Sequence, residues 1–265
     1  VKDGLRRVLG LRRKARKKLL AFSLIGVALL PAVVFVGLAF ILGEFTPDVE
    51  APFGGYEQYI GLAGTVLLIF SGLAAPELLV PDRIEGVLSV YSSRPMRARD
   101  YIGARATALL GLVAAFLVIP NLLMWLGFAA LGEGAFPTEA IDGFGDFGRS
   151  LAASVVYVLG YGVPAMLPAI YTKRTAPASG AYLAVMFFSV PIATALVESG
   201  FTASRWGALL ALLQHPHVVR DWIFGSVNND LPTVSQFSSW VSLAVILVVA
   251  GLTVVLGMRR YRREM

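Results

Sequence analysis

The sequence predicts an all-α polytopic membrane protein with six spanning helices, and three observations carry that prediction. Six stretches contain no Asp, Glu, Lys or Arg and are long enough to cross a bilayer: 19–43, 58–76, 106–132, 150–172, 175–197 and 231–258. Hydrophobic residues make up 57% of the 265 positions and charged residues 15%, with a mean hydropathy of +0.72; a soluble domain carries roughly 25% charged residues. The charges between the stretches alternate in sign from gap to gap. A spanning helix needs about 20 mostly apolar residues to cover roughly 30 Å of hydrocarbon. Helices are required because an open backbone cannot satisfy its N–H and C=O groups in lipid.

The alternation fixes an expected orientation. Lys2 to Lys18, Arg83 to Arg105, Lys173–Arg174 and Arg259 to Arg263 place 20 basic residues in alternate gaps, and the other gaps hold three, Arg149, Arg205 and Arg220. Six spans return both termini to one side, and the positive-inside bias makes that side cytoplasmic, in the plasma membrane. The formal charge of +6 then reflects topology and anionic headgroups, with no nucleic-acid partner. The loops are too short for a separate soluble unit, so residues 1–265 read as one transmembrane domain.

Each element has its own signal. Residues 4–18 set Leu5, Val8, Leu9, Arg12 and Ala15 at helical spacing among Lys and Arg, as in an amphipathic helix lying in the interface. The basic run before an apolar segment looks like a signal peptide, but that segment is 25 residues long without an A-x-A-type site, which favours an uncleaved first span. Pro81 is expected to stop the second span, with Asp82 capping a short helix over 82–93. Ile84, Val87, Leu88 and Tyr91 fall on one face of it, Arg94-Pro95 ends it, and Tyr101 opens the third span. Gly160, Gly162, Pro164 and Pro168 predict a kink or break in the fourth span, and Pro120 and Pro191 predict similar interruptions in the third and fifth. The external segment 198–230 has an uncharged part, 206–219, of only 14 residues; that is too short to cross, so short interfacial or re-entrant helices broken at Pro216 are expected.

Several chemistries lack their residues. There is no G-x-x-x-x-G-K-[ST] phosphate loop, G-x-S-x-G elbow or H-E-x-x-H helix. The chain contains no Cys, which removes thiolate metal sites and a cysteine nucleophile. Its two histidines, His215 and His217, form an H-P-H pair without a carboxylate at fixed spacing, a poor metal site read as interfacial polar residues. The span interiors hold no ionisable group of the kind that marks ion or proton pathways. The energy source is therefore expected outside this chain.

Residues 77–105 carry a family resemblance. Glu77, Pro81-Asp82-Arg83-Ile84-Glu85-Gly86-Val87-Leu88, Ser93-Arg94-Pro95, Tyr101 and Gly103-Ala104-Arg105 resemble the coupling segment of the permease subunits of type-2 ABC exporters, which has the form R-x-E-G-x-L, a Ser-x-Pro-like turn and a Tyr opening the next span. The six-span count and the helical external segment before the last span are also similar. Arg94 between Ser93 and Pro95 departs from the commonest form of the turn, and no nucleotide-binding domain is fused. The resemblance implies a non-enzymatic transport subunit with no cofactor of its own, ATP and Mg being bound by a separate ABC ATPase. That ATPase would dock on the 77–105 loop through Arg83, Ile84, Glu85, Gly86, Val87, Leu88 and Tyr91. A second permease copy would complete a homodimer in membrane lipid, giving two permeases and two ATPases. It further implies a substrate path along the second and fifth spans, nominating Phe70, Ser71, Met186, Phe187 and Phe188. With uncharged span interiors, a hydrophobic or amphipathic cargo leaving the cytoplasm is expected. The alternatives are a stand-alone membrane enzyme acting on lipid or peptide, an ion-coupled carrier, and an accessory or sensor subunit.

Overall fold

A computed structural model describes residues 26, 29–42, 55–84, 98–132, 134–200 and 204–264, and every regular element among them is helical. Helix α1 covers Leu29–Leu42, α2 Tyr56–Ile84, α3 Ala98–Leu131, α4 Phe136–Asp142 and α5 Phe144–Tyr157. A π-helical turn, Val158–Gly162, leads to α6, Met166–Tyr171, and then α7 covers Thr175–Glu198. A 3-10 helix at Ser204–Leu210 precedes α8 at His215–Phe224, α9 at Leu231–Val234 and α10 at Ser239–Glu264. Five helical stretches are long and apolar enough to cross a membrane: Tyr56–Pro81, Gly103–Leu131, Phe144–Tyr171, Thr175–Glu198 and Ser239–Tyr261. Of the predicted first span, α1 is the described part, a shorter apolar helix; the rest of that span and the interfacial helix over 4–18 lie outside the described residues.

Helix α2 is the centre of the bundle. It packs against α3, α5, α6, α7, α8 and the π-turn, and it buries Tyr59, Ile60, Ala63, Leu67, Leu68, Ala75, Leu78, Leu79 and Val80 completely. A helix apolar on every face is one surrounded by other helices. Helices α7 and α10 lie at the periphery and expose Val185, Phe188, Ile192, Val248 and Leu252, the side chains expected to meet acyl chains. Small and polar side chains join the interior helices, as membrane bundles require. Asn121 on α3 donates to Ser154 Oγ on α5 at 3.0 Å, and Ser154 Oγ–H returns to the Ser150 carbonyl at 2.8 Å.

The helix boundaries correct several expectations. The stretch long and apolar enough to cross a membrane ends at Pro81, as expected, but helix α2 itself runs through Pro76 and Pro81 to Ile84, so Asp82 does not cap a new helix. Asp82, Arg83 and Ile84 form its last turn, while Glu85, Gly86, Val87, Leu88 and Tyr91 lie outside the described residues. The helix into the third span begins at Ala98, ahead of Tyr101. Helices α3 and α7 are continuous across Pro120 and Pro191. Each proline removes one i→i−4 hydrogen bond, and in a membrane the alternative, exposed backbone in lipid, costs more than continuing the helix. The fourth span does break, where two glycines and two prolines fall within nine residues, 160–168: α5 passes into the π-turn and restarts as α6 at Met166. The last spanning helix starts at Ser239, because Leu231–Val234 is a separate turn ending near Gln236, whose φ of 63° no helix accommodates.

Candidate functional site

The far end of the bundle, where α2, α5 and α10 begin and α3 and α7 finish, holds a polar site built around a helical hairpin that folds back along α7. The 3-10 helix turns back down α7, with Gly207 packed against Leu196 and Ala193. The tip, residues 211–214, reaches Ser189, whose Oγ accepts from the Leu213 amide at 3.3 Å. Ser189 lies nine residues before the end of α7, so the tip sits about 13 Å below it at 1.5 Å per residue. Helix α8 then climbs along α5 and α10, and Gly225 closes it in a left-handed cap with φ 79°. The segment is two short helices, as expected, and the break falls at 211–214, just ahead of Pro216. Pro216 itself occupies the first turn of α8, where its missing N–H has no intrahelical partner to lose. Trp206, Trp222 and Trp240 are all exposed at this end, as in the aromatic belt of a membrane–water interface.

The hairpin tip is clamped to the broken span. Tyr161 on the π-turn donates to the Leu213 carbonyl at 2.7 Å, and Tyr182 on α7 donates to the Tyr161 carbonyl at 2.8 Å. A π-turn leaves carbonyls out of the regular ladder, and the Tyr182 hydroxyl supplies a partner to one of them, the Tyr161 carbonyl. Gly160 lies directly under Pro216, where an added Cβ would stand 2.6 Å from Pro216 Cγ. His215 is 1% exposed, so the interfacial reading of this residue is corrected. Its Nε2 lies 3.1 Å from the Leu209 carbonyl, which can only accept, so Nε2 carries the proton and Nδ1 accepts from Ser242 Oγ at 3.0 Å.

Charge gathers on the ascending limb. Arg220 binds Asp221 through Nε at 2.6 Å and through Nη2, and its Nη1 lies 3.5 Å from both Tyr157 Oη and His217 Nδ1. Since Arg220 can only donate, His217 Nδ1 is an acceptor, and Tyr157 O–H donates to it at 3.0 Å; His217 therefore carries its proton on Nε2. Burial lowers the pKa of both histidines, assisted at His217 by the Arg220 charge. Burial also works against the Arg220 charge, but Tyr157 and Asp221 more than offset it and its pKa is raised. Asn228 Nδ2 bridges the carboxylates of Asp221 and Asp230. Ser226 O–H donates to Glu57 at the start of α2, tying α8 to the central helix. An open cavity of about 540 Å³ follows this limb, lined by the apolar Val190 and Leu213, by Val227 at its exposed edge, and by polar residues that include His217, Arg220, Asp221 and Asp230. Among the described residues no group of three or more His, Asp or Glu could hold a metal ion.

The histidines give this end a pH dependence. A base whose folded pKa is depressed stabilises the fold fully above its unfolded value, about 6.5, and that stability is lost as pH falls from there toward the folded pKa. Each unit of depression is worth about 1.4 kcal/mol. Thermal unfolding in detergent should show a lower midpoint at pH 5.5 than at pH 7.5, by a margin that shrinks in a His217→Gln variant.

The residues nominated for a substrate path do not line one space within the chain. Phe70 and Ser71 are buried on α2, and Phe70 stacks on Phe116 at 5.1 Å beside an apolar cavity of about 230 Å³ that also touches Leu29, Leu112 and Pro120. Met186 faces the same core from α7, whereas Phe187 and Phe188 are 48% and 63% exposed on the outer face of that helix. Sequence reasoning missed Tyr157, Tyr161 and Tyr182, in spans where it singled out only the glycines and prolines and the residues nominated for a substrate path. It also missed the cluster of Gln214, Arg220, Asp221, Asn228 and Asp230. The available signal was the density of polar residues over 214–230 in a segment too short to span. No protein-family model matches the chain, and no curated protein matches it.

Proposed function

We propose that this chain is the membrane-spanning permease subunit of an ATP-driven exporter resembling the type-2 ABC class, in the plasma membrane with both termini cytoplasmic, working as a homodimer with a separate ATPase. The observation that carries the reading is the segment Arg83-x-Glu85-Gly86-x-Leu88, Ser93, Pro95 and Tyr101 joining α2 to α3. The mechanics support it. Force applied to this segment enters the bundle through α2, the helix against which α3, α5, α6, α7 and α8 all pack. A lever rooted in the hub moves the whole bundle, whereas one rooted in a peripheral helix moves only that helix. The hairpin stands at the opposite end, where cargo would leave, and its tip reaches the interruption midway along the fourth span. The uncharged spanning stretches suit a hydrophobic or amphipathic cargo.

The purified chain should hydrolyse no ATP alone and should stimulate hydrolysis by its cognate ATPase when the two are reconstituted together. Glu85→Ala and Leu88→Ala should each reduce transport at least tenfold while the protein remains inserted at wild-type levels. Wild-type transport by both inserted variants, or transport by this chain alone without nucleotide, would overturn the assignment.

A further inference from the structure

We infer that the cavity beside the helical hairpin binds a primary ammonium group carried on a short hydrocarbon. The inference does not depend on the transport reading. Two carboxylates, Asp221 and Asp230, share the single amide of Asn228, and only one cation compensates them. The Arg220 guanidinium is committed to Asp221 through both Nε and Nη2, with side chains 15% and 6% exposed. Among the described residues, Asp230 has no ion pair. Its carboxylate takes one hydrogen bond, from Asn228 Nδ2 at 3.0 Å. His217 cannot supply the missing charge, because its Nδ1 already accepts from Tyr157 and lies beside Arg220. The cavity is therefore one formal positive charge short.

Its shape defines the rest of the ligand. The volume of about 540 Å³ falls in the range of small-molecule sites. The apolar lining of Val190 and Leu213, with Val227 at the exposed edge, suits a hydrocarbon of a few carbons. His217 Nε2–H, without a hydrogen-bond partner among the described residues, offers a donor for a ligand oxygen nearby. An ammonium with N–H donors fits a carboxylate better than a quaternary one, since each charge-assisted hydrogen bond needs a proton. Such a group could come from an ethanolamine lipid headgroup or from a soluble amine.

The test uses the full chain in nanodiscs of pure phosphatidylcholine, with n-butylammonium as the probe and calorimetry as the readout. Saturable binding is expected, at least about tenfold weaker for butyltrimethylammonium and for the Asp230→Asn variant. Val227→Trp fills the cavity from an exposed position, 87% accessible, without removing a hydrogen bond, and should abolish binding even if Asp230→Asn folds poorly. Repeating the titration with phosphatidylethanolamine in the nanodisc separates the sources. A weaker apparent affinity identifies the lipid headgroup as the natural occupant, and an unchanged one identifies a soluble amine. Absence of butylammonium binding by the wild type, or equal binding by both variants, would overturn the inference.

Discussion

Replacing Asp221 by Asn is expected to destabilise the far end of the bundle by about 3–5 kcal/mol, the cost of leaving a buried charge without its partner. The substitution keeps the size of the side chain, removes its charge, and turns the oxygen that accepts from Asn228 Nδ2 into a donor. Arg220 would then face an amide in a site where its own side chain is 15% exposed, flanked by the uncharged Tyr157 and His217, with Glu57 and Asp230 as the nearest remaining carboxylates. On one side the guanidinium packs against Gly61 on α2, and on the other it lines the open cavity. Denaturation in mixed detergent micelles should show the loss, and a double variant, Arg220→Gln with Asp221→Asn, should recover part of it because the orphaned charge is gone. A single variant within about 1 kcal/mol of wild type would mean that water reaches this pair freely and that the pair behaves as a surface ion pair.

How much of this was legible in the sequence follows from which forces act at each scale. Five of the six expected spanning helices are found among the described residues, and they were readable because lipid imposes one rule on every backbone group, the absence of charge over about 20 residues being its direct imprint. Boundaries were less readable, and proline was the reason. Pro76, Pro81, Pro120 and Pro191 all lie inside continuous helices, yet Gly160, Gly162, Pro164 and Pro168 together break one. A single lost hydrogen bond is tolerated when neighbours hold the helix, but four breakers in close succession are not.

The polar site was legible only as a composition. His215 and His217 stood out as the only histidines, but their partners come from elements far away in sequence: Ser242 on α10, Tyr157 on α5, and the Leu209 carbonyl of the 3-10 helix. No local pattern announces that a tyrosine in an apolar span will meet a histidine 60 positions later. Depth was hidden as well. The 14 uncharged residues of 206–219 were correctly too few to cross, and only the packing of Gly207 on Leu196 and of Pro216 on Gly160 shows that they descend and return.

That packing also predicts where the bundle tolerates no added volume. Gly64 on α2 lies against the ring of Tyr157, and a Cβ there would overlap the ring carbons directly. The ring has nowhere to go. Tyr157 is fully buried, sits edge-on to Tyr161 at 5.4 Å and to His217 at 5.5 Å, and its hydroxyl holds His217 Nδ1. Gly64→Ala should therefore cost about 1–3 kcal/mol as overpacking, and Gly64→Leu should prevent α2 from seating against α5 at all, giving protein that inserts but aggregates on extraction. The same replacement at Gly180, where nothing lies within 4 Å of the new carbon, should be neutral or slightly stabilising through helix propensity. Removing the obstacle makes the argument specific: Tyr157→Leu added to Gly64→Ala should recover stability relative to Gly64→Ala alone, although Tyr157→Leu by itself also loses the bond to His217. If the double variant is no better than the sum of its parts, the ring is not what the glycine accommodates. The close approach of α2 to α5 must then serve the backbone alone, as it does where small residues let two membrane helices touch.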